Sequence, residues 1–353
     1  MKIGNELAQL IEHSDYRIVN FEAPITTDNA CSIHKSGPNI AQDPNSIKWL
    51  EDNGFNIVSF ANNHILDFGE KAYYNTLKSF KNSDTFGSGS VTEAYEPLIV
   101  SKDNIKIGFL AATHKEFGCH TEISDDKTIG AAWIGDPRFF NAIATAKQRC
   151  DKLYIFAHAG IEFLDIPLPE WRNFYSRLID LGVDGVIASH PHVPQGIEYY
   201  NGKPIVYSLG NFIFQRTDDR YPKHWNTGLI FEMEISEKDI NYSIIPISYS
   251  PTENIVEIDN SKETKSHIAY LNDALLKGYY DKILDQSIEL LAPQYGYMFS
   301  TSNYFKPNLS LRFCKNIIRP FLNRTYDQID CYNLFNCESH RWVMQRLLSK
   351  NKL

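Results

Sequence analysis

The sequence predicts an α/β fold: two stacked sheets flanked by helices, a four-layer α/β/β/α sandwich, with a helical C-terminal extension. Three observations carry this. LYIFAHAG and GVIASHPH are short apolar runs rich in β-branched and aromatic residues, the pattern of buried strands. Between them a helix runs from about Pro169 to Leu181 and closes at Gly182, giving a βαβ unit with both strand ends on one rim. The number of strand-like segments exceeds what one doubly wound sheet accommodates, so two sheets fit better.

In chain order, NELAQLIEH (5–13) predicts a helix, with Leu7, Leu10 and Ile11 at helical spacing. DYRIVNFEAPIT gives a short strand ending at Asn20-Phe21-Glu22 and stopped by Pro24, and the polar stretch Thr26 to Ile40 is a loop. PNSIKWLEDN (44–53) is a helix with proline at its start and Gly54 at its end. FNIVSF is a strand, ANNH the loop beyond it and GEKAYYNTLKSF the next helix, so Asn62, Asn63, His64 and Asp67 crowd one strand-to-helix turn. TFGSGS (85–90) reads as a Gly/Ser turn without the G-K-[ST] ending of a phosphate-binding loop.

PLIVSKDNIKIGFLAATH predicts a hairpin around Asp103-Asn104 whose second strand ends at His114, a candidate site residue by position only, with the incidental reading favoured. Residues 119–136 read as a surface excursion and 137–149 as a helix. Beyond His192, Asn201-Gly202 is a strong hairpin signal, and Ser208, Gly210 and Asn211 follow an apolar strand on the same rim. TGLIFEMEIS and INYSIIPISYSP are two further strands, antiparallel by their short connection. Residues 1–256 are therefore expected to form the main domain, and 257–353 a mostly helical extension packed on it. Within the basic, aromatic stretch 305–353, NLSLRFCKNIIRPFL is expected to be a surface helix broken at Pro320, with packing favoured over a membrane-surface contact.

A chain of 353 residues, 43% of them hydrophobic, can bury a large core, and its net charge of −8 argues against a general nucleic-acid binder. The six cysteines are scattered with no C-x-x-C pair, so they read as free thiols, mostly buried or incidental. No apolar stretch reaches the ~18–20 residues of a membrane span, and the first residues lack a signal peptide's apolar core. As written, the chain is expected in the cytoplasm; a start further upstream would make it membrane-associated or extracytoplasmic.

The chemistry lies in the histidines. A single histidine at a strand end, such as His158, is more often structural than a ligand. Proline between His190 and His192 is expected to keep the backbone extended and to spread the imidazoles, which suits two ions better than one. Neutral imidazole is the commonest protein metal ligand.

Glu22, Asn63, His64, His158, His190 and His192 stand in NFEAPIT, VSFANNHILDFG, FAHAGIEF and IASHPHV, followed by YSLGNFIF. Over about residues 1–250 these ordered motifs resemble the poly-gamma-glutamate capsule protein family (CapA-like), a branch of the calcineurin-like metallophosphoesterase superfamily. The resemblance implies a metallophosphoesterase-like sandwich and two divalent ions, Mn, Fe or Zn, about 3.5–4 Å apart. Glu22 would bridge the ions, Asn63, His158 and His190 would bind one, and His192 the other. His64 would face substrate as proton donor or phosphate-orienting group. Asn62, Glu162, Ser208 and Asn211 would stand behind the ligands or touch substrate, Glu162 being otherwise a salt-bridged surface residue, and Asp67 would anchor its turn.

One departure stands out. The family's first strand ends in Gly-Asp ahead of the NFE motif, whereas this chain starts at MKIGNELAQLIEH with no aspartate before Asp15. That implies a missing first strand, from a start lying upstream or from a reduced relative that binds one ion weakly. The resemblance implies a hydrolase of capsule or related polymer biosynthesis, acting on a phosphoester or a γ-glutamyl amide. Its partners would be an anionic polymer or phosphoester and other capsule-synthesis proteins, with no nucleic acid. The alternatives are a non-catalytic accessory protein of capsule assembly and a general phosphoesterase acting on a nucleotide or sugar phosphate.

Overall fold

The structure, a computed structural model, describes residues 1–26, 31–215, 221–236, 239–276, 278–301 and 328–350. The chain begins with β1 (Lys2–Ile3), α1 (Asn5–His13), β2 (Ile18–Asn20), α2 (Asn45–Asp52), β3 (Ile57–Ser59) and α3 (Gly69–Ser79). Next come β4 (Asp84–Phe86), β5 (Ser88–Gly89), α4 (Val91–Ala94), β6 (Leu98–Lys102), β7 (Ile105–Thr113) and β8 (Gly130–Ala131). The central part comprises α5 (Pro137–Ala146), β9 (Lys152–His158), α6 (Pro169–Asp180), β10 (Gly185–Ser189), β11 (Ile197–Tyr200) and β12 (Lys203–Val206). β13 (Thr227–Ile235), β14 (Ile240–Ser250) and β15 (Ile255–Ile258) precede the helices α7 (Lys262–Leu276), α8 (Tyr280–Thr301), α9 (Gln328–Asn336) and α10 (Glu338–Ser349).

Local chemistry sets several boundaries. Asp136 caps α5 by accepting from the Arg138 amide, and proline occupies the first turn of both α5 and α6, where its missing N–H costs nothing. Asp103-Asn104 and Asn201-Gly202 all have positive φ, the geometry that two-residue hairpin turns require.

Among the described residues a six-stranded sheet runs β11-β12-β10-β9-β7-β6. Facing it are a parallel trio, β2-β3-β4, and a second group, β1-β15-β14-β13. The alternation of side chains along the strands builds the layers. Ile107, Phe109, Ala111, Tyr154 and Ile187 point from the large sheet into one cluster with Ile57 and Phe86 of the trio. Their neighbours Leu110, Ala112, Leu153, Ile155 and Val186 point the other way, onto Phe139 of α5 and Trp171 and Tyr175 of α6. On the far side of the smaller sheets, Leu7, Ile11, Ile47, Leu50 and Tyr73 from α1, α2 and α3 meet Val58, Tyr249 and Val256. The four layers are therefore helices, sheet, sheet, helices, held by fully buried side chains worth about 1.5–3 kcal/mol each.

Register positions the rim. Parallel pairing sets Thr113 beside His158 and His158 beside Ser189, so β7, β9 and β10 end level with one another. In the trio, Asn20 pairs with Ser59, which brings the residues after β2 and β3 to the same edge.

The later helices join the core. Tyr280, Leu284, Ile288 and Tyr295 of α8, Leu334 of α9 and Val343 and Leu347 of α10 share the cluster that contains α6. Trp342 lies edge-on to Trp171 at 5.2 Å, and Arg346 pairs with Glu170 at 2.7 Å. The helix expected over 308–322, with the basic residues around it, lies outside the described residues.

Two sequence expectations need correction. Within 85–90, Phe86 ends β4 and Ser88–Gly89 form β5, which pairs with β8. The supposed excursion 119–136 contributes that β8 partner, and His120, Ala131, Ala132 and Ile134 are buried. GAAWI is too short and too rich in small residues for periodicity to reveal its burial.

Candidate metal centre

Four strand ends deliver the side chains. Glu22 follows β2, Asn63 and His64 follow β3, His158 ends β9, and His190 and His192 follow β10. The backbone at the H-P-H turn is not extended as expected: φ is +100° at His190 and +61° at His192. His190 precedes Pro191 and yet leaves the extended region a pre-proline residue prefers, and the chain turns sharply there with both rings directed at the site. The rings nevertheless stand apart, with centroids 6.0 Å from each other. Gly160 makes the turn possible, because a Cβ there would lie 2.8 Å from the Pro191 ring.

His158 Nε2 is the point of convergence. It lies 3.1 Å from Asn63 Oδ1, 3.2 Å from His190 Nδ1 and 3.7 Å from Glu22 Oε1. His192 Nε2 approaches the same Glu22 oxygen at 3.6 Å. That oxygen is buried and has no hydrogen-bond partner. A buried carboxylate oxygen without a donor carries a large desolvation cost, which a cation among these groups would remove.

Burial first, and then the neighbouring charges of His114 and other histidines, holds His158 and His190 well below the ordinary imidazole pKa. Both rings are therefore neutral at neutral pH, the form that binds metal. Glu22, His158 and His190 alone already offer ligand atoms within 4.8 Å of one another. The donor set fits a divalent transition metal, with imidazole nitrogens and carboxylate and amide oxygens.

Residues 2–216 match the family described as "Bacterial capsule synthesis protein PGA_cap". The chain belongs to this PGA_cap family. It is 32% identical over 211 residues to the PGA biosynthesis protein CapA of Bacillus subtilis, covering 58% of this chain and 54% of that one. Over 223 residues it is 27% identical to the capsule biosynthesis protein CapA of Bacillus anthracis, covering 61% and 54% of the two chains. The chain thus spans about half the length of these curated relatives. Among solved structures, a calcineurin-like phosphoesterase from Bacillus subtilis aligns at 14% identity and TM-score 0.35, covering 70% of this chain and 82% of that one.

In this PGA_cap protein the remaining expected residues fall into distinct roles. His64 Nδ1 lies 2.7 Å from Asp67 Oδ2 and 2.9 Å from Lys35 Nζ, with Lys35 also 2.5 Å from Asp67 Oδ1. Lysine has only donors, so the consistent arrangement has His64 Nδ1–H donating to Asp67 Oδ2 with Lys35 ion-paired to the other Asp67 oxygen, and His64 Nε2 is the ring nitrogen outside this cluster. Asp67 also accepts the Ile40 amide, as an anchor of its turn should. Asn211 Oδ1 accepts from His192 Nδ1 at 2.9 Å while its amide donates to the Trp225 carbonyl, which fixes the ring with Nε2 toward Glu22.

Asn62 donates to the Phe21 carbonyl and accepts the His64 amide, tying the ends of β2 and β3 together. Ser208 is buried, and its hydroxyl accepts the Gly210 amide within its own turn. Glu162 is half-buried in the turn after β9.

A cavity of about 820 Å³ borders the site. Its lining includes Ile18, Phe109, Phe156 and Met233 from the facing sheets, together with Glu22 and His192.

Sequence reasoning missed several residues. Lys35 sits in a polar loop that gave no sign of burial, yet its side chain is 3% exposed. Trp225, packed 5.1 Å from His192, has a buried indole N–H without a partner. His114, read as incidental, is fully buried with its ring centroid 4.4 Å from that of His190. Beside it stand Glu116, Cys337 and His340, the last two outside the matched residues 2–216. The missed signal was the C-x-x-H spacing of Cys337 and His340, set in a helical stretch with no other sign of a site.

Proposed function

We propose that this protein is a metal-dependent hydrolase of capsular-polymer synthesis or remodelling, its water directed at a phosphoester or a γ-glutamyl amide. The observation that carries the proposal is the buried, unpartnered Glu22 Oε1 between His158 and His192. Glu22, Asn63, His158 and His190 would hold one divalent ion, with His192 and Glu22 available to a second. When bound, such ions supply charge neutralisation, Lewis-acid polarisation of the scissile group and a lowered water pKa.

The chain's own groups do the rest. His64, oriented by Asp67, carries a proton to the leaving oxygen or nitrogen. Asn211 keeps His192 in one tautomer, and the apolar walls of the adjoining cavity limit competing water.

The test is hydrolysis by manganese- or zinc-loaded full chain of a phosphomonoester, a phosphodiester and a γ-glutamyl oligomer. Turnover of one class, with kcat lowered about 10²–10⁴-fold in His64→Ala and metal affinity unchanged, is the expected result. No turnover of any class by fully loaded protein would favour an accessory role, the role in the name of a 26%-identical Mycobacterium tuberculosis relative, a "probable polyglutamine synthesis accessory protein".

A further inference from the structure

We infer that His114, Glu116 and Cys337 form a second, thiolate-containing metal site, which closes the C-terminal helices onto the rim of the sheet. The three residues come from two distant parts of the chain, the end of β7 and the start of α10, and their ligand atoms all lie within 4.8 Å of one another. Cys337 Sγ is 3.6 Å from His114 Nδ1, and Glu116 Oε2 is 3.9 Å from His114 Nε2. Zinc bonds of about 2.0–2.3 Å separate ligand atoms by roughly 3.3–3.8 Å, a spacing that Glu116 and His114 Nε2 already approach, while Cys337 Sγ, nearer the Nδ1 edge of the ring, swings toward Nε2 to join them.

His114 gives the independent sign of a ligand. Its ring is fully buried, and Nε2 has no hydrogen-bond partner. The other nitrogen is 3.0 Å from Ser339 Oγ, which also accepts the Trp171 indole N–H. Donation from Nδ1 to Ser339 leaves the Nε2 lone pair directed at Glu116, the arrangement by which an outer hydrogen bond orients a ligating imidazole.

The surroundings are equally fixed. His340 holds the second Glu116 oxygen at 3.3 Å and is itself 2.6 Å from the Tyr295 hydroxyl. Glu338 accepts the Lys115 amide at 2.7 Å and the Trp133 indole N–H at 2.5 Å, which pins the start of α10 against residues 114–116. Thiolate, imidazole and carboxylate together select zinc or iron(II) over magnesium or calcium. Glu116 also accepts from Asn63 Nδ2 at 2.6 Å, so the site lies one hydrogen bond from the first centre and helps aim the Asn63 amide oxygen at His158.

The experiment is a titration of the metal-stripped, reduced full chain with cobalt(II), followed by absorption. A thiolate-to-cobalt charge-transfer band in the near ultraviolet, with the final intensity of one thiolate-bound cobalt per chain, is expected. It should persist in His158→Ala/His190→Ala, which separates this site from the first centre, and vanish in Cys337→Ser. No such band in folded wild-type protein, or its survival in folded Cys337→Ser, would overturn the proposal. If Cys337→Ser does not fold, His114→Gln retains the thiol and should still lose one equivalent of bound cobalt; full retention would be equally fatal.

Discussion

At the residue scale the site depends on groups that hold other groups. Lys35 and Asp67 are a fully enclosed ion pair, and removing one partner leaves a buried charge alone. Asp67→Asn should therefore cost about 3–5 kcal/mol in urea unfolding, while the double change Lys35→Met/Asp67→Asn should recover most of it. Equal destabilisation by the single and double variants would show that the pair itself is not what matters. Asn211→Ala removes the acceptor that fixes His192, and metal titration of the folded variant should show affinity weakened about 10–100-fold. The proposed ligands were legible in the sequence because strand ends placed the histidines on one rim and the ordered motifs carried the family resemblance that names the rest. Lys35 and His114 were not, because burial of a polar residue comes from what packs over it, and that cover comes from distant segments.

At the element scale, β7, β9 and β10 end level because parallel register is set by the βαβ crossover, and that much follows from pattern alone. The H-P-H turn does not: its two positive φ values arise from the need to face both rings inward past Gly160. A pH response is expected at α7. His267 stacks on His224 with centroids 3.6 Å apart, and burial, followed by the charges of His224 and Lys223, lowers its pKa to about 4. The folded pKa lies below the unfolded value of about 6.5, so the unfolded state binds more protons between the two. Stability from this contact should be intact above pH ~6.5 and lost as the pH falls toward 4. The thermal midpoint should drop across that window, and His267→Phe should flatten the drop; an identical profile in the variant would remove the stacked pair as its cause.

At the scale of the whole molecule, the sandwich was legible because strand number and alternation leave few ways to bury so much apolar surface. Packing of the last helices on the main domain was expected too; the side chains they bring to the rim were not. Their polar surfaces and weak periodicity conceal a Cys-x-x-His pair that meets the rim only after the chain has folded back over α6. The capsule-synthesis family match covers residues 2–216, and the described helices beyond it extend the same core. The central claim is that Glu22, Asn63 and the three histidines bind metal, and metal per chain tests it most directly. Full chain and His158→Ala/His190→Ala, each equilibrated with manganese or zinc and shown to be folded, should differ by at least one bound ion. Equal metal content in the two proteins would contradict the account.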